Sequence, residues 1–124
     1  MHELSLSYAA VEIAVESVCQ LEGLTRIKSI TFRNGELSGV APDAFRFSFP
    51  IAAAGTPLQD AELFFESEPV TVYCKWCGVA GPLADIRHFC CPYCGQPSVD
   101  VRGGKEFRIQ SLEVEVSEVE HPHR

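Results

Sequence analysis

Two Cys-x-x-Cys pairs constrain this chain more than any other feature: Cys74-Lys75-Trp76-Cys77 and, thirteen residues later, Cys91-Pro92-Tyr93-Cys94. Zinc takes four soft or borderline ligands at tetrahedral corners, and each pair sets two thiolates on one side of a tight turn. Gly78 and Gly95 follow the second cysteine of each pair. Glycine there permits the positive φ that turns backbone N–H groups toward the sulfurs. The spacing is that of a zinc ribbon with two knuckles. Competing readings are two disulfides, a redox dithiol, or iron in a rubredoxin-like site. The first two are disfavoured where thiols stay reduced. Four thiolates leave no open position for water, so the expected ion is structural, not catalytic. Structural zinc binds small peptides with about 10–16 kcal/mol, enough to fold an otherwise weak segment. Cys90 reads as a spare, buried thiol, and Cys19 as a small core residue.

The chain has 124 residues, enough for one domain or one domain with a small insert. Apolar residues make up 46%, which is sufficient for a core. No run reaches the roughly 18 apolar residues of a membrane span. The opening MHELSLSYAAVEIAVE lacks a basic run and carries Glu3, Glu12 and Glu16, which reads against a secretory leader. The expected location is the cytoplasm. Net charge is −7, from ten Lys and Arg against seventeen Asp and Glu, and the basic residues form no run. Nucleic-acid binders draw most of their affinity from a basic face, so no nucleic-acid partner is expected. No nucleophile–base pair, phosphate loop or open metal site stands in the sequence, so no enzyme is expected.

Leu4, Tyr8, Val11, Val15 and Val18 recur at helical spacing and predict an amphipathic helix of about five turns ending near Gly23, with that stripe in the core. Residues 27–33 alternate as a strand, broken by Asn34-Gly35. A second helix is expected from Pro42, with Asp43 at the positive end of its dipole, Phe45 and Phe49 on one face, and Gly55 at its close. Pro50 falls inside it and is expected to kink or split it. Residues 61–73 read as a strand limited by Pro69. The turn-rich stretch from Tyr73 to Gly104 is too short to bury a core of its own and needs a staple. A last strand runs from Phe107 to Val116, where the apolar parity changes and predicts a bulge near Gln110-Ser111. A strand following the cysteine module makes that module an insert. The expected fold is α+β: two helices packed on a three-stranded sheet, residues 1–70 plus 104–118, with an inserted zinc-ribbon domain at 71–103.

Ligand chemistry also concentrates at Met1-His2-Glu3. A free α-amine, the His2 amide and a His2 imidazole nitrogen can close fused chelate rings on one ion, and the Glu3 amide or carboxylate is a candidate fourth ligand. Nitrogen-rich tetragonal sets favour Ni(II) or Cu(II). On residue chemistry alone, a histidine at position two is more often simply solvated. His88, His121 and His123 are read as solvent-exposed residues with no metal set around them.

The opening MHE and its long helix, GELSGVAPDAFRFSF, GTPL, the paired cysteines with CPYCG, and the closing EFRIQSLEVE occur together in this order. The combination resembles the hydrogenase maturation nickel metallochaperone family (HypA/HybF), from Met1 to about Val119. The resemblance implies a nickel-binding α+β domain joined to a zinc-ribbon domain. It implies His2 as a nickel ligand with Glu3 contributing, and Cys74, Cys77, Cys91 and Cys94 holding zinc. It also implies a nickel-insertion GTPase and the large subunit of [NiFe] hydrogenase as partners, with urease served by some members. Pro50, Cys90 and the HPHR tail depart from the family pattern. The expected state is a monomer or weak homodimer. The alternative function is a zinc-ribbon binding or regulatory module without nickel transfer.

Overall fold

The computed structural model describes residues 2–117, in the order α1 (His2–Val18), β1 (Leu24–Gly35), α2 (Pro42–Ala53), β2 (Glu62–Glu68), β3 (Thr71–Cys74), β4 (Val79–Pro82), β5 (Asp100–Gly103) and β6 (Phe107–Val116). Two three-stranded sheets form, ordered β2-β1-β6 and β4-β3-β5. The α+β class expected from the sequence is the class observed. Among the described residues, contacts form two compact units: 2–32, 40–65 and 109–117 in one, and 33–39 with 66–108 in the other.

In the first unit α1 packs against α2. The buried face of α1 is Ser7, Ala10, Val11, Ala14 and Val18. This corrects the expected stripe: Tyr8 is 53% exposed, and Cys19, expected in the core, lies in solvent. Close helix packing selects the small side chains Ser7, Ala10 and Ala14, whereas periodicity alone favoured the larger ones. Pro42 opens α2 as expected, with Asp43 in its first turn. The helix runs unbroken through Pro50, which lies on its exposed face. The missing Pro50 N–H therefore falls on a solvated side, and Phe45, Ser48, Phe49, Ala52 and Ala53 remain buried opposite. Phe32 of β1 stands edge-on to Phe45, centroids 4.9 Å apart, and stacks on Phe65 of β2 at 5.5 Å. The Arg46 guanidinium covers the Phe65 ring at 4.7 Å. Ile27, Ile30 and Leu58 complete this core with no exposed surface.

Strand β1 is longer than expected, because Asn34-Gly35 continues it and does not break it: the Gly35 N–H donates to the Glu106 carbonyl at 2.9 Å. Conversely, the single strand expected over 61–73 divides at Pro69 into β2 and β3, which belong to different sheets. Proline cannot donate to a ladder, and the chain changes sheets where donation stops. In β6 the burial alternation changes phase between Gln110 and Ser111.

The second unit has a small core after all: Val70, Val72 and Leu83, with Phe89 and Val101 packed against them. Strand β3 pairs antiparallel with β4, from Thr71 opposite Pro82 to Cys74 opposite Val79. It pairs antiparallel with β5 as well, with a register shift between Thr71 and Val72. Cys90, expected to be buried, is exposed in an isolated bridge to Pro97. No helix among the described residues is long and apolar enough to cross a membrane.

Candidate metal centre

Strand β3 delivers Cys74 at its end, and the turn into β4 carries Cys77. Cys91 and Cys94 sit on a second turn. The four Sγ atoms lie within 4.8 Å of one another. Cys74 and Cys94 are 3.6 Å apart, and Cys77 and Cys91 3.9 Å. A tetrahedron with zinc–sulfur bonds of about 2.3 Å has sulfur edges of about 3.8 Å, so the observed spacing fits that ion. Sequence expectation and structure bring together the same four cysteines. The first of each pair is buried and the second exposed.

Both knuckles share one backbone device. Gly78 and Gly95 have φ of 74° and 79°, and their N–H groups donate to the carbonyls of Cys74 at 2.7 Å and Cys91 at 3.0 Å. The turns so closed aim the Cys77 N–H at the Cys74 sulfur, 3.4 Å away, and the Tyr93 N–H at the Cys91 sulfur, 3.3 Å away. Burial raises the Cys74 thiol, but the hydrogen bonds it accepts outweigh burial and bring it down to about 6. Cys91 is lowered on the same balance: burial opposes, and N–H donors win. Cys77 is pushed up to about 12, first by its contact with Cys94, then by burial and by Cys91 and Cys74. Cys94 is raised by burial and by the neighbouring sulfurs of Cys74 and Cys91, although its largest single influence, the Gln96 backbone contact, acts downward. Crowded thiolates repel one another, so without a cation some keep their protons; a divalent ion relieves this repulsion.

Sequence reasoning missed Ser98. Its side chain is buried, its Oγ lies 3.5 Å from the Gln96 carbonyl, its hydroxyl helps to lower the Cys74 thiol, and its N–H donates to the Phe89 carbonyl at 2.9 Å. Outer contacts of this kind orient metal ligands. Nothing in a lone serine after Gln-Pro reveals the role without the fold.

His88, expected in solvent with no metal set around it, has a carboxylate nearby: its Nδ1 lies 3.4 Å from Oδ2 of Asp85, three residues earlier, and its side chain is 76% exposed. Asp85 also binds the Arg87 guanidinium through both oxygens. One imidazole and one shared carboxylate do not make a metal set. His121 and His123 lie outside the described residues, as does Met1.

At the other end of the chain, His2 and Glu3 open α1 side by side, with Nδ1 of His2 3.5 Å from Oε2 of Glu3. Burial alone would raise the Glu3 carboxyl; hydrogen bonds from its own N–H and the Ala41 N–H, with His2 beside it, hold it below the usual range. Ala41 immediately precedes α2 and has no side-chain cap, so Glu3 supplies an acceptor that the helix start lacks. The sequence placed Glu3 in a ligand set but did not show this second engagement.

A cavity of about 150 Å³ in the second unit is lined by Glu68, Arg102, Lys105, Glu106 and Arg108 with Gly103 and Gly104. Arg102 is already paired with Asp100 at 2.7 Å, and Arg108 with Glu68 at 3.3 Å.

The family described as "Hydrogenase/urease nickel incorporation, metallochaperone, hypA" matches residues 1–114. The chain belongs to the HypA family. HypA proteins are metallochaperones, maturation factors and not enzymes. Among relatives named "Hydrogenase maturation factor HypA", that of Chloroflexus aggregans is 44% identical over 113 residues, covering 91% of this chain and 98% of the relative. That of a Roseiflexus species (strain RS-1) is 42% identical, covering 93% of each. Among solved structures, the solution structure of the nickel metallochaperone HypA from Helicobacter pylori superposes with a TM-score of 0.69 at 22% identity, over 93% of this chain and 98% of the other. A second HypA solution structure gives a TM-score of 0.72 at 24% identity, over 94% and 98%. At these identities the two structures establish the HypA fold alone.

Proposed function

We propose that this chain binds Ni(II) at its N-terminal segment, with His2 as a ligand and Glu3 contributing, and delivers it during maturation of [NiFe] hydrogenase. The GTPase of nickel insertion and the hydrogenase large subunit are its partners, and the cytoplasm its place of work. Cys74, Cys77, Cys91 and Cys94 hold a structural Zn(II). The observation that carries the nickel reading is the pairing of His2 and Glu3 at the start of α1 in a chain of a nickel metallochaperone family. The His2 side chain is 59% exposed, as a site that must hand its ion to a partner requires. Affinity alone would favour Cu(II) over Ni(II) on such a nitrogen-rich set, so coordination geometry and metal supply must determine the cargo. Nickel and zinc stoichiometry, measured on wild type and on His2→Ala, tests the assignment. The expected result is loss of nickel with zinc unchanged. A His2→Ala variant holding one nickel at wild-type affinity overturns it.

A further inference from the structure

Two hydroxyls meet inside the packed interface of α1 and α2. Ser7 is completely buried and Ser48 is 6% exposed, and their Oγ atoms lie 3.1 Å apart. The Ser7 Oγ is 2.8 Å from the Glu3 carbonyl, and the Ser48 Oγ is 3.1 Å from the Ala44 carbonyl. Each hydroxyl has one proton, so only two orders satisfy the contact between them. Either Ser48 donates to Ser7 and Ser7 to Glu3, or Ser7 donates to Ser48 and Ser48 to the Ala44 carbonyl or, at 3.4 Å, the Phe45 carbonyl. The first order runs from the Glu3 carbonyl in the first turn of α1 to Ser48 in the second turn of α2, and the second runs from Ser7 to the first turn of α2.

Stability does not require this arrangement. Replacing both members of a buried hydrogen-bonded pair by apolar groups of similar shape is nearly neutral, and two alanines would pack here. What hydroxyls add to an interface of alanines and valines is direction, because they bond only at one rotation of α1 against α2. Two residues on α1, His2 and Glu3, depend on that rotation for where their donor atoms lie. We propose that Ser7 and Ser48 are positioning residues for the nickel site, holding the first turn of α1 so that His2 and Glu3 present their ligand atoms together. The inference rests on the N-terminal nickel reading.

The test uses the full-length chain and Ni(II) itself. Ser7→Ala/Ser48→Ala is expected to fold and to retain zinc, with nickel affinity about five- to tenfold weaker, the equivalent of one lost buried hydrogen bond. The visible absorption and circular dichroism of bound nickel are expected to shift, a readout that a merely structural role would leave alone. Ser48→Cys keeps a donor at this position, weaker and slightly bulkier, and is expected to shift both signals less, in the same direction. It also serves as the probe if the double variant does not fold. Wild-type affinity and spectrum in the double variant, or in Ser48→Cys if the double does not fold, overturn the positioning role when His2→Ala has lost nickel. Unchanged nickel binding in His2→Ala overturns the site itself and the relay with it.

Discussion

Gly35 and Gly104 touch backbone to backbone. A Cβ on Gly35 would lie 2.9 Å from the Gly104 Cα and nearer still to its carbonyl, and a Cβ on Gly104 would lie 2.7 Å from the Pro69 oxygen. Around this contact, Leu37 donates to the Gly104 carbonyl at 2.8 Å and Glu36 to the Glu68 carbonyl at 3.0 Å. Residues 33–39 are thereby sewn into the second unit. Gly35→Ala and Gly104→Ala are each expected to cost about 1–3 kcal/mol or more, since backbone must move. Gly39→Ala has open space and only a positive φ of 81° against it, so about 1–2 kcal/mol is expected. Urea melts of the three variants check the order.

Phe45 and Phe47 are near neighbours on α2 with opposite surroundings. Phe45 is fully buried against Phe32, while Phe47 is 81% exposed. Phe45→Ala is expected to cost about 3–5 kcal/mol, and Phe47→Ala less than about 0.5 kcal/mol. Equal costs by thermal or urea unfolding would mean that the helix faces are wrongly assigned.

Removal of zinc is expected to unfold the second unit. The apolar core formed by its described residues, Val70, Val72 and Leu83 with Phe89 and Val101 against them, is small, so binding energy of about 10–16 kcal/mol cannot be replaced by packing. Chelation, or Cys77→Ser, is expected to abolish amide protection in β3, β4 and β5 by hydrogen exchange. Retained protection at zero zinc would show that the sheet stands without metal.

Asp85 sets an acid limit on its turn. The Arg87 side chain, joined by the Arg87 N–H and His88, outweighs burial and holds the carboxyl at about 2. The folded value lies below the ordinary carboxylate value of about 3.9, so this contribution is complete above that pH and is lost as pH falls toward 2. A carbon-13 titration of the Asp85 carboxyl is expected to show the low midpoint, and Arg87→Ala to move it back up. An ordinary midpoint in wild type would dismiss the contact.

The cluster of four cysteines, both helices and the strands β1 and β6 were legible in the sequence because each depends on local spacing: Cys-x-x-Cys for a turn of thiolates, apolar periods for buried faces, Pro42 for a helix start. The opening MHE with the cysteine module also made the family legible, although residue chemistry alone left His2 ambiguous. Other features depend on groups distant in the chain and therefore awaited the tertiary structure. Packing distance between helices chose Ser7, Ala10 and Ala14 over Tyr8. The solvated side of α2 made Pro50 harmless. Pro69 proved to be the point where the chain leaves one sheet for another. Composition and spacing determined which atoms can hold a metal. Only the fold decided that Ser98 lies beside Cys74, that Glu3 lies beside Ala41 at the start of α2, and that Ser7 meets Ser48, because a hydrogen bond acts over about 3 Å whatever the separation in sequence.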